Sequence, residues 1–334
     1  MQFDPEAKEK SLQQESANWE TREVHPANPG DIPIIDVSDW FSTNSDAALE
    51  TLADQLRTAC LQVGFYTLTG HGFPIKTLDD AFNEAVRFHD LPESSKNKLL
   101  MDQPDWPGGI GYLPTRHRKL PARLKGNLNT SIIFKRDHQV TLDENHWPQE
   151  SEIVGFRSNI ESYIEAIESL AIRLLPVYAR ALNQPQEFFN EAFTQPLYRL
   201  RLSRYPVVSD QVDDEFGIAP HVDTTFFTIL AQRSPGLAIF SERRQCWVAV
   251  PVVSNAFIVN SGELLKQWTN DQFLSVKHFA NNNTGNNARY SIPFFFNANA
   301  DTQMECIPSC CSPENPPRYP PISYLESQAV VQGE

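Results

Sequence analysis

Pro220-His221-Val222-Asp223 places an imidazole and a carboxylate one residue apart. On an extended strand, side chains at i and i+2 leave the same face. His221 and Asp223 can therefore approach one divalent metal together. Of the eight histidines, only His221 has a carboxylate two residues on in a segment that reads as strand. A third ligand must come from elsewhere in the fold, and His278 is the candidate. Two imidazoles and one carboxylate on one face of a metal leave three positions open for reactants. A second i, i+2 pair, Arg289 and Ser291, follows an Asn/Gly-rich loop at 281–287. That loop is long enough for the chain to turn and run back antiparallel. A guanidinium on such a strand pairs bidentately with a carboxylate.

The elements around these residues are short and apolar. Residues 224–230 are β-branched and aromatic, a buried strand. Further strand-like runs lie at 236–240, 247–251, 256–260 and 289–297. Their order, with His-x-Asp, His278 and Arg-x-Ser, resembles the isopenicillin-N-synthase-like branch of the Fe(II)/2-oxoglutarate-dependent dioxygenases. The resemblance is specific from about Leu200 to Asn297 and looser in the N-terminal half. It implies Fe(II) on His221, Asp223 and His278, with 2-oxoglutarate and O2 taking the open positions. It also implies a clamp, Arg289 with Ser291, for the distal carboxylate of the 2-oxo acid. The family often carries Asn-x-Tyr-Pro on the preceding strand. Here the run is Ser203-Arg204-Tyr205-Pro206. Tyr205 matches as a hydroxyl donor to the cosubstrate, and Ser203 replaces the amide. A glycine common two residues after the carboxylate is Thr225 here, a side chain that can touch substrate. His71, between two glycines, is expected to be a turn histidine with no metal role.

Composition bounds the alternatives. The chain has 334 residues, 40% hydrophobic and 21% charged, with net charge −14. No basic stripe for nucleic acid is visible. Five scattered cysteines without a CxxC pair read as reduced thiols in a cytoplasmic protein. No apolar window is long enough to span a membrane, and the N-terminus lacks the pattern of a signal peptide. The final Gln332-Gly333-Glu334 is not a retention or peroxisomal address.

Read in order, residues 1–30 form a polar arm. Residues 31–195 form a flank of helices and strands. The spacing predicts amphipathic helices over about 45–60, 76–91 and 151–183, the last with a kink at Pro176. Residues 102–113 read as a loop, and 128–136 as a strand. From 197 the pattern becomes many short strands: 197–206, 216–222, 225–232, 236–240, 246–250, 256–260, 277–280, 288–297 and 304–307. This predicts one domain, mainly β with helical flanks, built on a double-stranded β-helix (jelly-roll) core at 196–310 and a tail at 311–334.

A small-molecule substrate is expected over the open face of the metal. The candidates for its contacts are Tyr112, Arg116, Arg118, Asn129, Ser131, Thr225 and Phe294. Strict alternation sets Phe294 opposite Ser291, unless Pro293 disturbs the parity. Asn129 and Ser131 share a face and can orient a polar group. The expected reaction is oxidation of an unactivated C–H bond, by hydroxylation, desaturation or ring closure, with release of succinate and CO2. Two other classes remain open: an oxidase of the isopenicillin N synthase type that uses no 2-oxoglutarate, and a non-catalytic binding module on the same barrel. Succinate formation separates the first from the expected enzyme, and O2 uptake separates the second. Oligomeric state is not legible.

Overall fold

A computed structural model describes residues 23–101, 109–116, 126–136, 145–209 and 215–326. Thirteen strands form the two sheets that matter for the site: β1 (Val24–His25), β2 (Ile34–Asp36), β3 (Phe65–Thr69), β4 (Gly111–Leu113), β5 (Thr130–Lys135), β6 (Leu197–Tyr205), β7 (Ile218–His221), β8 (Phe227–Gln232), β9 (Leu237–Ser241), β10 (Cys246–Ala249), β11 (Phe257–Ser261), β12 (His278–Ala280) and β13 (Arg289–Asn297). The major sheet has the order β2-β3-β11-β8-β13-β6-β5-β4, and the minor sheet β1-β10-β9-β12-β7. The flank at 31–195 therefore supplies four strands to the same sheet as the core. Phe65 and Ile258 of the major sheet pack with Leu237, Ile239 and Val248 of the minor one. The two sheets face each other as a jelly roll.

Three helices close the outer face of the major sheet: α1 (Asp46–Gln62), α2 (Ile75–His89) and α3 (Phe156–Ala181). Ser45 caps α1, its hydroxyl accepting from the Ala48 amide at 3.2 Å. The stripe Leu49, Leu52, Leu56, Ala59 and Cys60 is buried along one side of that helix. Helix α3 continues through Pro176 to Ala181. Strand parity divides β13 in two. Ile292, Phe294 and Phe296 are fully buried in the helix-side core. Arg289, Ser291, Pro293 and Phe295 face the minor sheet and line the cavity between the sheets.

The observed strands fall close to the expected ones, with four differences. Val24–His25, in the stretch read as a polar arm, is a strand that pairs with Trp247 and Val248. Tyr112 lies in a strand, because Gly111–Leu113 pairs with Ser131–Ile133 at the sheet edge. The run expected at 304–307 shrinks to Gln303–Met304, which pairs with Ile322–Ser323. Asp223 lies beyond the end of β7, in the turn leading to β8. Among the described residues, no helix is long and apolar enough to cross a membrane.

One buried titratable group ties the helices to the sheet. His89, at the end of α2, donates from Nε2 to the Leu202 carbonyl at 3.1 Å, and its Nδ1 lies 3.1 Å from the Thr130 hydroxyl. Burial pushes its pKa down to about 3 from 6.5, aided by Arg204 and Lys96 and opposed by the Leu202 carbonyl. As pH falls below 6.5, the unfolded chain takes up a proton that the folded chain refuses, so stability falls. Between about pH 6.5 and 5, thermal denaturation should show wild type losing more stability than His89→Gln. Equal pH dependence in the two chains would contradict this placement.

Candidate active site

The metal-binding candidates meet at the end of the minor sheet. His221 ends β7 and His278 begins β12, and the two are direct cross-strand partners. Their ring centroids are 4.4 Å apart. Each Nδ1 is engaged by a carbonyl two residues earlier in its own chain, His221 by Ala219 at 2.8 Å and His278 by Val276 at 3.0 Å. That bond fixes each tautomer and leaves both Nε2 atoms as acceptors pointing at one spot. Asp223 reaches the same spot from the turn, its Oδ1 lying 3.6 Å from each Nε2. The three ligand atoms lie within 4.8 Å of one another, and no second such group occurs among the described residues.

The other carboxylate oxygen is held in place. Asp223 Oδ2 accepts from Thr228 Oγ1 at 2.7 Å and from Asn260 Nδ2 at 2.9 Å. Burial alone would raise the Asp223 pKa. His278 and His221, with Asn260, outweigh it and hold the carboxyl well below its usual range. His278 is pushed down to about 4 by burial, against the pull of Asp223. The site thus presents an anionic oxygen and a neutral imidazole at ordinary pH, the protonation states that a divalent metal requires.

At the other end of the same cavity stands Arg289, 4% exposed. Its Nη2 and Nε make only long contacts, 3.4 Å to Gln232 Oε1 and 3.4 Å to the Ser234 carbonyl. Its Nη1 is buried with no hydrogen-bond partner. A buried guanidinium with an unmet donor is costly, so the geometry calls for an acceptor. Ser291 and Tyr205 stand beside it, their hydroxyls 3.2 Å apart, with one O–H left to donate onward. The guanidinium lies over the Tyr205 ring at 4.5 Å. Gly236 makes room for this arrangement. A Cβ there would sit 2.8 Å from Arg289 Nε, and its φ of +144° is a conformation that side chains rarely adopt. The donor set fits a carboxylate at this end and a divalent metal at the other. Both ends line one cavity that opens to solvent.

Of the residues expected from sequence, the cavity is lined by His221, Asp223, His278, Arg289, Ser291 and Tyr205. The rest are elsewhere. Ser203 is fully buried beneath the cavity floor, 3.1 Å from the Ser131 hydroxyl, which in turn accepts from Asn129 at 2.9 Å. Asn129 and Ser131 thus spend their polar groups on each other and on the scaffold. Tyr112 points the other way, toward Phe88 of the helix-side core. Phe294 is corrected for the same reason of parity: it is fully buried and stacks on Tyr198 at 5.2 Å. Thr225 turns to Thr228, 3.1 Å away, and backs against Gly262. Arg116 is more than half exposed and pairs with Glu215. Arg118 lies outside the described residues. His71 bonds to the Asn255 carbonyl and accepts from the Phe73 amide, away from the metal ligands. Sequence reasoning missed Thr228, Asn260, Gly236, Arg201, Pro293 and Phe295. Parity from Ser291 and Tyr205 marks Pro293, Phe295 and Arg201. Nothing local marks the other three.

Comparison with known proteins agrees with this geometry. A family described as the 2OG-Fe(II) oxygenase superfamily matches residues 196–298. Another, described as the non-haem dioxygenase in morphine synthesis N-terminal region, matches 32–150. The 2-oxoglutarate-Fe(II) type oxidoreductase hxnY of Emericella nidulans is 31% identical over 305 residues, covering 87% of this chain and 86% of that protein. The 2-oxoglutarate-dependent dioxygenase tropC of Talaromyces stipitatus is 27% identical, covering 82% of this chain and 88% of that one. The crystal structure of a full-length Neurospora crassa protein in complex with alpha-KG superimposes with a TM-score of 0.82 at 23% identity, covering 92% of this chain and 99% of that one, which shows a shared fold. Given the identity to hxnY over most of both chains, this chain belongs to the 2OG-Fe(II) oxygenase superfamily and is an oxidoreductase that uses Fe(II), 2-oxoglutarate and O2.

Proposed function

We propose that this single-domain enzyme oxidises an unactivated C–H bond of a small molecule, with hydroxylation, desaturation or ring closure as the outcome. The observation that carries the reading is the buried, unpartnered Nη1 of Arg289 at one end of a cavity whose other end holds His221, Asp223 and His278. Those three residues would hold Fe(II), and Arg289 with Ser291 and Tyr205 would hold the distal carboxylate of 2-oxoglutarate. The bound metal supplies reductive activation of O2, with two electrons drawn from decarboxylation to succinate and CO2 and two from the substrate.

The protein's own part is positioning and exclusion of water. The Ala219 and Val276 carbonyls hold the two imidazoles in register, so neither ring must reorient to bind. Thr228 and Asn260 occupy one oxygen of Asp223 and leave the other for the metal. Arg289, with no acceptor of its own on Nη1, selects a dicarboxylate skeleton and fixes its direction. Phe65, Leu230, Pro293 and Phe295 keep the wall around the reacting atoms apolar.

Two variants test the clamp. A charge-assisted pair of this kind is worth roughly 1.5–3 kcal/mol. Arg289→Leu should therefore weaken 2-oxoglutarate binding by about tenfold to more than a hundredfold. Fe(II) affinity should be nearly unchanged in a metal titration. Gly236→Ala should move the Arg289 side chain and weaken 2-oxoglutarate in the same direction, by about tenfold, again with the metal retained. Wild-type 2-oxoglutarate affinity in Arg289→Leu would show that the arginine serves another ligand. Stoichiometric succinate release on addition of a true substrate would establish the coupled reaction.

A further inference from the structure

We infer that Thr225 is a positioning residue for the metal, acting on Asp223 through the hydroxyl of Thr228. The role rests on the reading of Asp223 as a metal ligand. It adds a residue that is not part of the cavity wall. Three side chains stand in line. Thr225 Oγ1 lies 3.1 Å from Thr228 Oγ1, and Thr228 Oγ1 donates to Asp223 Oδ2 at 2.7 Å. Distance alone leaves the direction of the first bond open, and the proton count decides it. A metal-binding carboxylate only accepts, and a hydroxyl has one proton to give. Thr228 gives its proton to Asp223, so toward Thr225 it accepts and Thr225 donates. The chain of bonds runs one way, from Thr225 to Thr228 to Asp223. All three residues are buried. In such surroundings each bond polarises the next, so a hydroxyl that accepts is also a stronger donor.

The fold holds the first hydroxyl in place. The turn that carries Asp223 and Thr225 is stitched to the start of the short helix Glu263–Trp268. The Glu263 amide donates to the Asp223 carbonyl at 2.8 Å, and the Leu264 amide to the Thr225 carbonyl at 3.2 Å. Gly262, just before that helix, has φ −104° and ψ 176°, extended backbone that any residue adopts. Space explains the glycine instead. A Cβ there would lie 2.5 Å from Thr225 Oγ1 and would collide with the Thr225 carbonyl. The side chain missing at Gly262 is the room that the Thr225 hydroxyl uses. Thr228 and Asn260 together keep Oδ2 of Asp223 engaged, while Oδ1 faces both histidines. Without the Thr225 hydroxyl, a buried lone pair on Thr228 goes unmet and its bond to Asp223 weakens. Valine at 225 keeps the shape and removes the bond. Serine keeps the bond and removes a methyl. Relay and packing therefore predict opposite rankings of the two variants.

The test is an anaerobic Fe(II) titration of the full chain against a competing chelator, so that binding is read without turnover. Thr228→Val, which removes the bond to Asp223 itself, should weaken Fe(II) binding by about tenfold to a hundredfold. Thr225→Val should weaken it by about threefold to tenfold, and Thr225→Ser should stay within about twofold of wild type. In the Thr228→Val background the Thr225→Val loss should shrink to below about twofold, because the relay is already cut. Thr225→Ala set against Thr225→Ser repeats the comparison without the methyl, so the outcome does not hang on the valine variant folding. Alanine should lose affinity as valine does. Wild-type Fe(II) affinity in Thr225→Val or in Thr228→Val overturns the inference. A loss in Thr225→Ser as large as in Thr225→Val overturns it by assigning Thr225 to packing. An equal Thr225→Val loss in both backgrounds overturns it by making the effect independent of Thr228. Failure of the metal assignment itself reads separately, as wild-type Fe(II) affinity in Asp223→Ala.

Discussion

Everything at this site depends on one buried carboxylate standing between two imidazoles. Asp223 is 6% exposed, and burial of a charge without partners is prohibitive. The chain resolves this with two hydrogen bonds to Oδ2, from Thr228 and Asn260, and with His221 and His278 on the other side. The donors come from β8 and β11, adjacent strands of the major sheet. The imidazoles come from β7 and β12, adjacent strands of the minor sheet. One side chain thus links the two sheets, and it can do so because the turn after β7 carries it off the strand. The metal site is a consequence of how the two sheets are joined.

The same economy runs through the rest of the cavity. The central strands of the major sheet, β3, β11, β8, β13 and β6, give one face to the helices and the other to the cavity, and period-2 alternation decides which. Ser131, Ser203, Ser291 and Gln232 line up across four strands as one row. Small hydroxyls in that row leave space above them, and Arg289 in the next row extends into it. Gly236 does the equivalent from the minor-sheet side. Large aromatics would have filled this volume, and they do so on the opposite face, where Phe294, Phe296 and Phe227 stack.

How much of this was legible in the sequence follows from the range of the interactions. His-x-Asp and Arg-x-Ser are local patterns, and their spacing encodes a shared face. Strand positions in the core were legible because each run is bounded by turn residues. The hydrogen bonds to Asp223 were not, since Asn260 is 37 residues away and the contact depends on strand order. Substrate candidates fared worst. Asn129 and Ser131 read as open polar groups, yet the sheet's own row of hydroxyls absorbs them. Tyr112 reads as the end of a loop, and pairing with β5 turns it inward to the core. Phe294 obeys the strict alternation read from Ser291, and Pro293 does not disturb it, because the β13 register continues past the proline on both sides.

The most direct test of the account is an anaerobic crystal structure of the full chain with Fe(II) and 2-oxoglutarate. The account predicts metal on His221 Nε2, His278 Nε2 and Asp223 Oδ1, with Asp223 Oδ2 still bonded to Thr228 and Asn260. It predicts the distal carboxylate of 2-oxoglutarate on Arg289 Nη1, within reach of Ser291 and Tyr205. A metal bound without Asp223, or a distal carboxylate on Arg201 with Arg289 Nη1 still unpaired, would contradict it.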